Sequence, residues 1–197
     1  MTTKQETPFD ELFPRINCLP LAVAYSRFRE QLPTMTLASD VNFCFQLRPN
    51  GWSTAQLFVD RELIEFRLTH VFGDPIESLL KAALQLATGE EAALIEWRDE
   101  PGAYFLRFQS VPAQQYLLLV EASEHSTMLP CCNDSNLVRS SSFYVARDFW
   151  LLLVYLEMNK ISELLRYKQY SSTRKYAFPR PLFEGLKTAF RNSQILK

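Results

Sequence analysis

The stretch from Val71 to Trp97 limits the fold more than any other, because it carries both the start and the stop signals of a helix. Asp74 followed by Pro75 predicts a helix N-terminus, with the carboxylate as cap and proline at the first helical position. Glu77 is spaced to complete a capping box, and Gly89 follows the last helical residue, where a positive φ is common. The predicted inward face is Leu79, Leu80, Ala83, Leu86 and Ala87.

Apolar and polar residues alternate on both sides of this helix, which predicts β-strands there. The alternating segments before it are 41–45, 55–59 and 64–68, with a hairpin turn at Pro49-Asn50-Gly51. The segments after it are 93–97, 104–108 and 116–120, followed by a short strand near 143–145. Both faces of the 116–120 strand are apolar, so we expect it to be covered on both sides.

Residues 122–136 are polar and are predicted to form a long loop that contains His125, Cys131 and Cys132. A second long helix is expected to begin near Ala146 or Asp148, and a terminal helix at Pro181. The order strands–helix–strands–helix predicts an α+β fold of antiparallel sheets packed with helices. The two halves of this order form a loose two-fold repeat without a residue-level repeat.

The chain has 197 residues, 47% of them hydrophobic, which is enough for the core of one domain over 1–197. Residues 1–40 are interpreted as an N-terminal extension with a short helix at 21–32, and residues 41–197 as the core. The N-terminus lacks a secretory signal, and no apolar run reaches the roughly 18 residues of a membrane span. We therefore expect a cytoplasmic protein with no membrane contact, and leave its oligomeric state open.

Charge is distributed unevenly along the chain. Residues 1–136 hold 10 Lys and Arg against 18 Asp and Glu, a net charge of −8, whereas residues 137–197 hold 11 against 4, a net charge of +7. Several carboxylates fall at turns or on outer strand faces, and if they share one surface they would steer toward a basic partner. These candidate partner-binding residues are Asp60, Glu62, Glu65, Glu90, Glu91, Glu96, Asp99, Glu100, Glu121 and Glu124. The opposite interpretation is that the acidic and basic sets interleave in space and cancel.

The basic half of the chain supports an alternative function in binding single-stranded nucleic acid. Cations that contact phosphates alternate here with tyrosines that stack on bases, at Arg166, Tyr167, Lys168, Tyr170, Arg174 and Lys175. A solvated helix end with favourable cations explains the same residues, and the acidic balance of the whole protein disfavours nucleic acid as a partner.

The sequence offers little catalytic chemistry. His70 ends a strand and is interpreted as a satisfied structural residue, and His125 is interpreted as solvated in the polar loop. A Ser/His/Asp triad with His125 and Asp134 lacks a nucleophile elbow around any serine. The four cysteines lack zinc-site spacing, and neither common phosphate-binding glycine motif occurs. We therefore predict no enzyme activity, no metal and no cofactor.

Four short motifs resemble the immunity proteins encoded beside bacterial polymorphic or contact-dependent growth inhibition toxins. They are Gly51-Trp52, Asp74-Pro75 with Leu79-Leu80, Glu100-Pro101-Gly102, and Phe178-Pro179 before a short last helix. The resemblance implies a non-enzymatic cytoplasmic protein that binds a cognate toxin, here expected to be a nuclease, and occludes its active site or substrate surface. Interfaces differ among such proteins, so no site residue transfers. The order of elements is also similar to Whirly-type single-stranded DNA-binding proteins, whose lysine-rich strand motif is not found here.

Overall fold

The computed structural model describes residues 37–112, 114–127 and 136–192. The helix predicted at 21–32 and three of the four cysteines, Cys18, Cys131 and Cys132, lie outside these residues. The strands are β1 Val41–Leu47, β2 Ser53–Val59, β3 Glu62–Leu68, β4 Ala92–Arg98, β5 Ala103–Val111, β6 Gln114–His125 and β7 Leu137–Ala146. The helices are α1 Pro75–Ala87, α2 Arg147–Leu164, α3 Lys168–Ser171 and α4 Arg180–Asn192, and a 3-10 turn spans Pro49–Gly51.

The strands form two antiparallel sheets, which confirms the α+β class. Sheet 1 has the order β1-β2-β3 and sheet 2 the order β4-β5-β6-β7. The two halves differ by one strand, and three helices rather than one follow sheet 2, so the repeat is loose. Each sheet is a meander, because strands that are consecutive in sequence are neighbours in the sheet.

Local signals define α1 as the sequence predicts. The Asp74 carboxylate accepts a hydrogen bond from the Ile76 N–H at 3.0 Å, and Pro75 occupies the first turn. Gly89 has φ of +97°, beyond the helix end. Glu77 instead forms an ion pair with Lys81, at 2.6 Å, so the predicted capping box is replaced by a contact one turn further on.

Helix α2 joins the two sheets through Trp150. Its ring lies 5.4 Å from Phe43 of sheet 1 and 5.2 Å from Phe108 of sheet 2. Phe66 of sheet 1 also packs against Trp97 of sheet 2, at 5.5 Å. The inner faces of both sheets and the buried sides of the helices therefore share one hydrophobic core.

Residues 37–40 belong to this core region rather than to a separate extension. Leu37 forms a parallel bridge with Tyr144 of β7, and the Ala38 N–H donates to the Tyr144 carbonyl at 3.2 Å. Both Leu37 and Ala38 are buried.

The loop predicted for 122–136 begins too early, whereas its predicted end at Asn136 agrees with the structure; the strand predicted near 143–145 is too short. Strand β6 continues through Ala122 and Ser123 to His125, and β7 begins at Leu137 rather than near Phe143. Small and polar residues are accepted here because β6 lies between β5 and β7, which satisfy its backbone on both sides. The apolar faces of β6 are both covered at Leu117 and Leu118, whereas Tyr116 is exposed.

Candidate partner-binding surface

Strand β4 alternates strictly between core and solvent. Its solvent side continues onto β5 and β6, where Arg107, Gln109 and Glu121 are exposed and Phe105 is buried. Leu94 pairs across the sheet with Arg107 of β5, which pairs with Glu121 of β6. In the next row Glu96 pairs with Phe105. We call the solvent side of β4, β5 and β6, together with the turns before and after β4, the acidic face.

The acidic face contains a shallow groove of about 460 Å³. Its apolar walls are Leu94 and Leu119, and its polar groups include Gln109, Arg107 and the Glu121 carboxylate. Leu94 is 52% exposed, so a large aliphatic side chain lies in solvent at the centre of this face. Apolar surface with polar groups around it is a composition that protein-binding surfaces share.

Carboxylates flank β4 at both of its ends. Glu90 and Glu91 lie in the turn before the strand, and Asp99 and Glu100 in the turn after it. Residues 90–121 hold six Asp and Glu against two Arg, which gives this segment a net charge of −4. Six of the ten predicted partner-binding residues therefore belong to the acidic face: Glu90, Glu91, Glu96, Asp99, Glu100 and Glu121.

The two arginines of this face have neighbours of their own. Arg98 forms an ion pair with Glu96 at 2.8 Å. The Arg107 guanidinium lies 5.7 Å from the centre of the Phe105 ring, a cation–π distance. The remaining carboxylates leave the face with an excess of negative charge.

The other four acidic residues lie elsewhere, so the ten do not form one patch. The Asp60 carboxylate accepts hydrogen bonds from the backbone N–H groups of Ser39 and Asp40 and thereby holds the chain before β1. Glu62 pairs with Arg139 at 3.5 Å, and Glu124 lies opposite Arg139 in the sheet. These three positions are explained by local structure.

Glu65 is the fourth, and it lies on the solvent side of sheet 1. Its carboxylate accepts a hydrogen bond from the Gln56 amide at 3.0 Å and lies 3.7 Å from Arg67. Glu65 is therefore separated from the acidic face by the shared core.

The basic stretch is only partly available to a ligand. The Arg174 guanidinium donates to the Gly51 carbonyl at 3.2 Å and to the Ser53 hydroxyl at 2.8 Å. Arg166 pairs with Glu163 at 2.8 Å, and the Lys175 ammonium lies 5.2 Å from the Tyr176 ring centre. Two of its four cations thus have protein acceptors, and the third lies over its neighbour's ring.

The remaining members of that stretch surround the short helix α3. Tyr167 is 63% exposed at the helix N-terminus, Lys168 is exposed and Tyr170 is half-buried. Nucleic-acid binding through these residues stays a prediction.

Arg174 belongs to a junction that the sequence did not reveal. Burial lowers the pKa of Arg174, whereas the charge of Asp74 at the start of α1 raises it. Burial also raises the pKa of Asp74, against the opposing effects of the Ile76 N–H and of Arg174. The junction joins the β1–β2 turn, the N-terminus of α1 and the segment after α3, and it brings together two motifs of the immunity-protein resemblance, at Gly51 and Asp74.

Neither histidine occupies its predicted environment. His125 is half-buried at the end of β6, where its ring contacts Phe105 edge-on at 5.2 Å and its Nε2 lies 3.3 Å from the Ser123 hydroxyl. His70 packs against Gly51, but its Nδ1 is buried and has no hydrogen-bond partner among the described residues. The prediction of a solvated His125 is wrong, and that of a fully satisfied His70 is wrong at Nδ1.

Ser123 and His125 are in contact because side chains two residues apart in a strand point to the same side of the sheet. Asp134, the third member of the conceivable triad, lies outside the described residues. Cys44 is a free, half-buried thiol. Over the described ranges, no group of three or more His, Cys, Asp or Glu side chains could hold a metal ion.

No helix within 37–112, 114–127 or 136–192 combines the length and the apolar character that crossing a membrane requires. Comparison with family models, with curated proteins and with solved structures gave no match to this chain.

Proposed function

We propose that this chain is an immunity-type protein that binds a cognate bacterial toxin and blocks it. The observation that carries the proposal is the acidic face, which holds six carboxylates against two arginines and contains the exposed Leu94. Anionic surfaces with an apolar centre fit basic protein partners, because charge accelerates the encounter and apolar contact slows dissociation. The sequence resemblance to immunity proteins points to the same class.

A nuclease is the toxin class that matches this charge. Enzymes that cleave nucleic acid contact phosphates with lysine and arginine, so their substrate surface is basic. The acidic face would cover that surface and compete with the nucleic acid for the same cations. Inhibition then requires no reaction by the immunity protein, only occlusion of the toxin's active site or substrate surface.

The test uses the product of the gene adjacent to the one that encodes this chain. We expect that product to be toxic on its own, to be neutralised by co-expression of this protein, and to bind it in a pull-down. Charge reversal by Glu96→Lys with Glu121→Lys should weaken binding at least about tenfold. The matched control is Glu62→Lys with Glu65→Lys, which adds the same charge away from the acidic face and should change binding less than about threefold.

Two results would contradict the proposal. The first is a neighbouring product that is neither toxic nor bound. The second is equal weakening by both pairs of substitutions, which would reduce the role of the acidic face to net charge alone.

A further inference from the structure

Strand β4 is an edge strand, and its free edge can be identified from the hydrogen bonds at its two ends. The Ser110 N–H of β5 donates to the Glu91 carbonyl, so odd-numbered residues of this strand direct their backbone groups toward β5. The Thr69 N–H donates to the Arg98 carbonyl from the other side. Since the orientation alternates along a strand, the N–H and C=O groups of Leu94 and Glu96 point to the free edge.

These groups of Leu94 and Glu96 have no backbone hydrogen-bond partner within the described residues. Each of the other sheet edges is also engaged at one point, as β4 is at Arg98. On β1 the Phe45 N–H donates to the Glu157 carboxylate at 2.6 Å, and on β7 the Tyr144 carbonyl accepts from Ala38. On β3 the Leu63 carbonyl accepts from Arg139 at 3.2 Å.

A groove of about 360 Å³ lies beside the C-terminal end of β4, between the strand and the first turns of α1. Its strand side is Glu96 to Arg98, and its helix side includes Ser78 and Lys81. Phe72, which is 41% exposed, borders it in the loop before α1. A groove between a helix and an unpaired edge strand fits a peptide in extended conformation, which pairs with the strand and places alternate side chains in the groove.

We propose that the free edge of β4 binds an extended, basic segment of a protein partner by adding it as a fifth strand to sheet 2. The proposal rests on the proposed function only for the identity of that partner. Charge selects the occupant: β4 and its two flanking turns, residues 90–100, hold five Asp and Glu against one Arg, a net charge of −4. A second copy of this chain, paired antiparallel through its own β4, would set these carboxylates against each other.

The experiment selects binders from a displayed library of random ten-residue peptides, using the full-length protein as the target. We expect the enriched peptides to carry lysine or arginine at alternate positions between β-branched residues. The diagnostic variant is Leu94→Pro, which removes an N–H from the free edge and leaves the β4–β5 hydrogen bonds intact. Binding of the enriched peptides to this variant should weaken at least about fivefold, the effect of one lost hydrogen bond.

Two control variants separate this effect from others. Leu94→Ala removes the side chain but keeps the N–H, so it should bind the same peptides more tightly than Leu94→Pro. Ser140→Pro places proline on the free edge of β7, at the opposite side of the same sheet, and should bind like wild type. Amide hydrogen exchange in β5 verifies that each variant keeps the sheet.

Three results would overturn strand addition: no enrichment, enriched peptides that bind Leu94→Pro as well as wild type, or a dimer of this chain that Leu94→Pro dissociates. The peptide selection does not use the product of the neighbouring gene, so the two proposals can fail separately. If the neighbouring product binds but ignores Leu94→Pro, strand addition fails and the immunity function stands. If that product does not bind while basic peptides do, the immunity function fails and the edge site stands.

Discussion

At the scale of single residues, the junction around Arg174 shows how a long-range contact depends on a missing side chain. Gly51 has φ of +82°, and a Cβ there would lie 2.7 Å from the His70 ring and 2.9 Å from the Thr173 carbonyl. Glycine is therefore required at position 51 for two reasons: the backbone is left-handed, and His70 and Thr173 approach it closely. Gly89 has a similar φ of +97°, but a Cβ there would meet nothing within 4 Å.

This pair of glycines gives a matched prediction. Gly51→Ala and Gly89→Ala both strain the backbone, by about 1 kcal/mol. Gly51→Ala also forces apart the His70 and Thr173 contacts, so it should lower the free energy of unfolding by at least about 1 kcal/mol more. Urea denaturation of the two variants measures the difference. Equal losses would show that the neighbours move aside freely and that the junction is loose.

The cap of α1 gives a prediction about pH. Because burial raises the pKa of Asp74 above its ordinary value of 3.8, the folded state binds this proton more tightly than the unfolded state. The contribution of Asp74 to stability is therefore largest at low pH and falls as pH rises from about 4 through the folded-state pKa. Asp74→Asn keeps the cap and removes the titration.

We expect the stability of Asp74→Asn relative to wild type to increase between pH 4 and pH 7. The increase should be about 1 kcal/mol or less, because the site is partly solvated. Thermal unfolding of both proteins across this range checks it, since other titrating groups cancel in the comparison. A difference that is constant or that decreases with pH would contradict the assignment of the shift to burial.

At the scale of elements, α2 connects the two sheets through one side chain. Trp150 is 1% exposed and lies between Phe43 and Phe108. Trp150→Ala should lower the free energy of unfolding by about 3–5 kcal/mol, because a large cavity remains in a core shared by both sheets. Leu153→Ala, on the half-buried side of the same helix, is the control and should cost clearly less.

Chemical denaturation measures this effect. Wild type and Leu153→Ala are followed by both tryptophan fluorescence and far-ultraviolet circular dichroism, and Trp150→Ala is followed by circular dichroism. Since both sheets pack against one helix, the two signals of wild type should coincide in a single transition. Separate transitions would show that sheet 1 and sheet 2 unfold independently and that Trp150 does not couple them.

The strands and α1 followed from sequence where the structural cause is local. Asp74, Pro75 and Gly89 act on their own backbone, and alternation along β4 needs no knowledge of its neighbours. The loop predicted at 122–136 failed because Ala122 and Ser123 are held in β6 by strands on both sides, which sequence periodicity does not record. The Arg174 junction was missed for the same reason: its partner Ser53 lies 121 residues away along the chain.

At the scale of the whole molecule, the net charge of −1 conceals an acidic face on sheet 2 and an excess of basic residues after β7 begins. The sequence predicted ten partner-binding carboxylates, of which six belong to the acidic face. The other four could not be separated from them beforehand, because strand register decides which side of a sheet a residue occupies. Asp60, for instance, is at a turn like Glu90 but accepts hydrogen bonds from the protein's own backbone.

A charged face of this kind predicts a salt-dependent association with the proposed toxin partner. Raising the salt concentration from about 50 mM to 500 mM should lower the association rate constant at least about tenfold, because ions screen long-range attraction. Glu96→Lys with Glu121→Lys should flatten that dependence, whereas dissociation should respond mainly to Leu94→Ala. Stopped-flow or surface-binding kinetics measures both rates. An association rate constant that is independent of salt would show that electrostatic steering does not contribute to binding.

The strict alternation of β4 has an evolutionary consequence. Every second residue, such as Ile95 and Trp97, packs in the core, while the intervening ones lie on the solvent side of the strand. Positions 94 and 96 can therefore mutate without disturbing what holds the domain together. Homologous proteins can therefore change binding specificity through a few substitutions on the solvent side of this strand while the hydrophobic core stays the same.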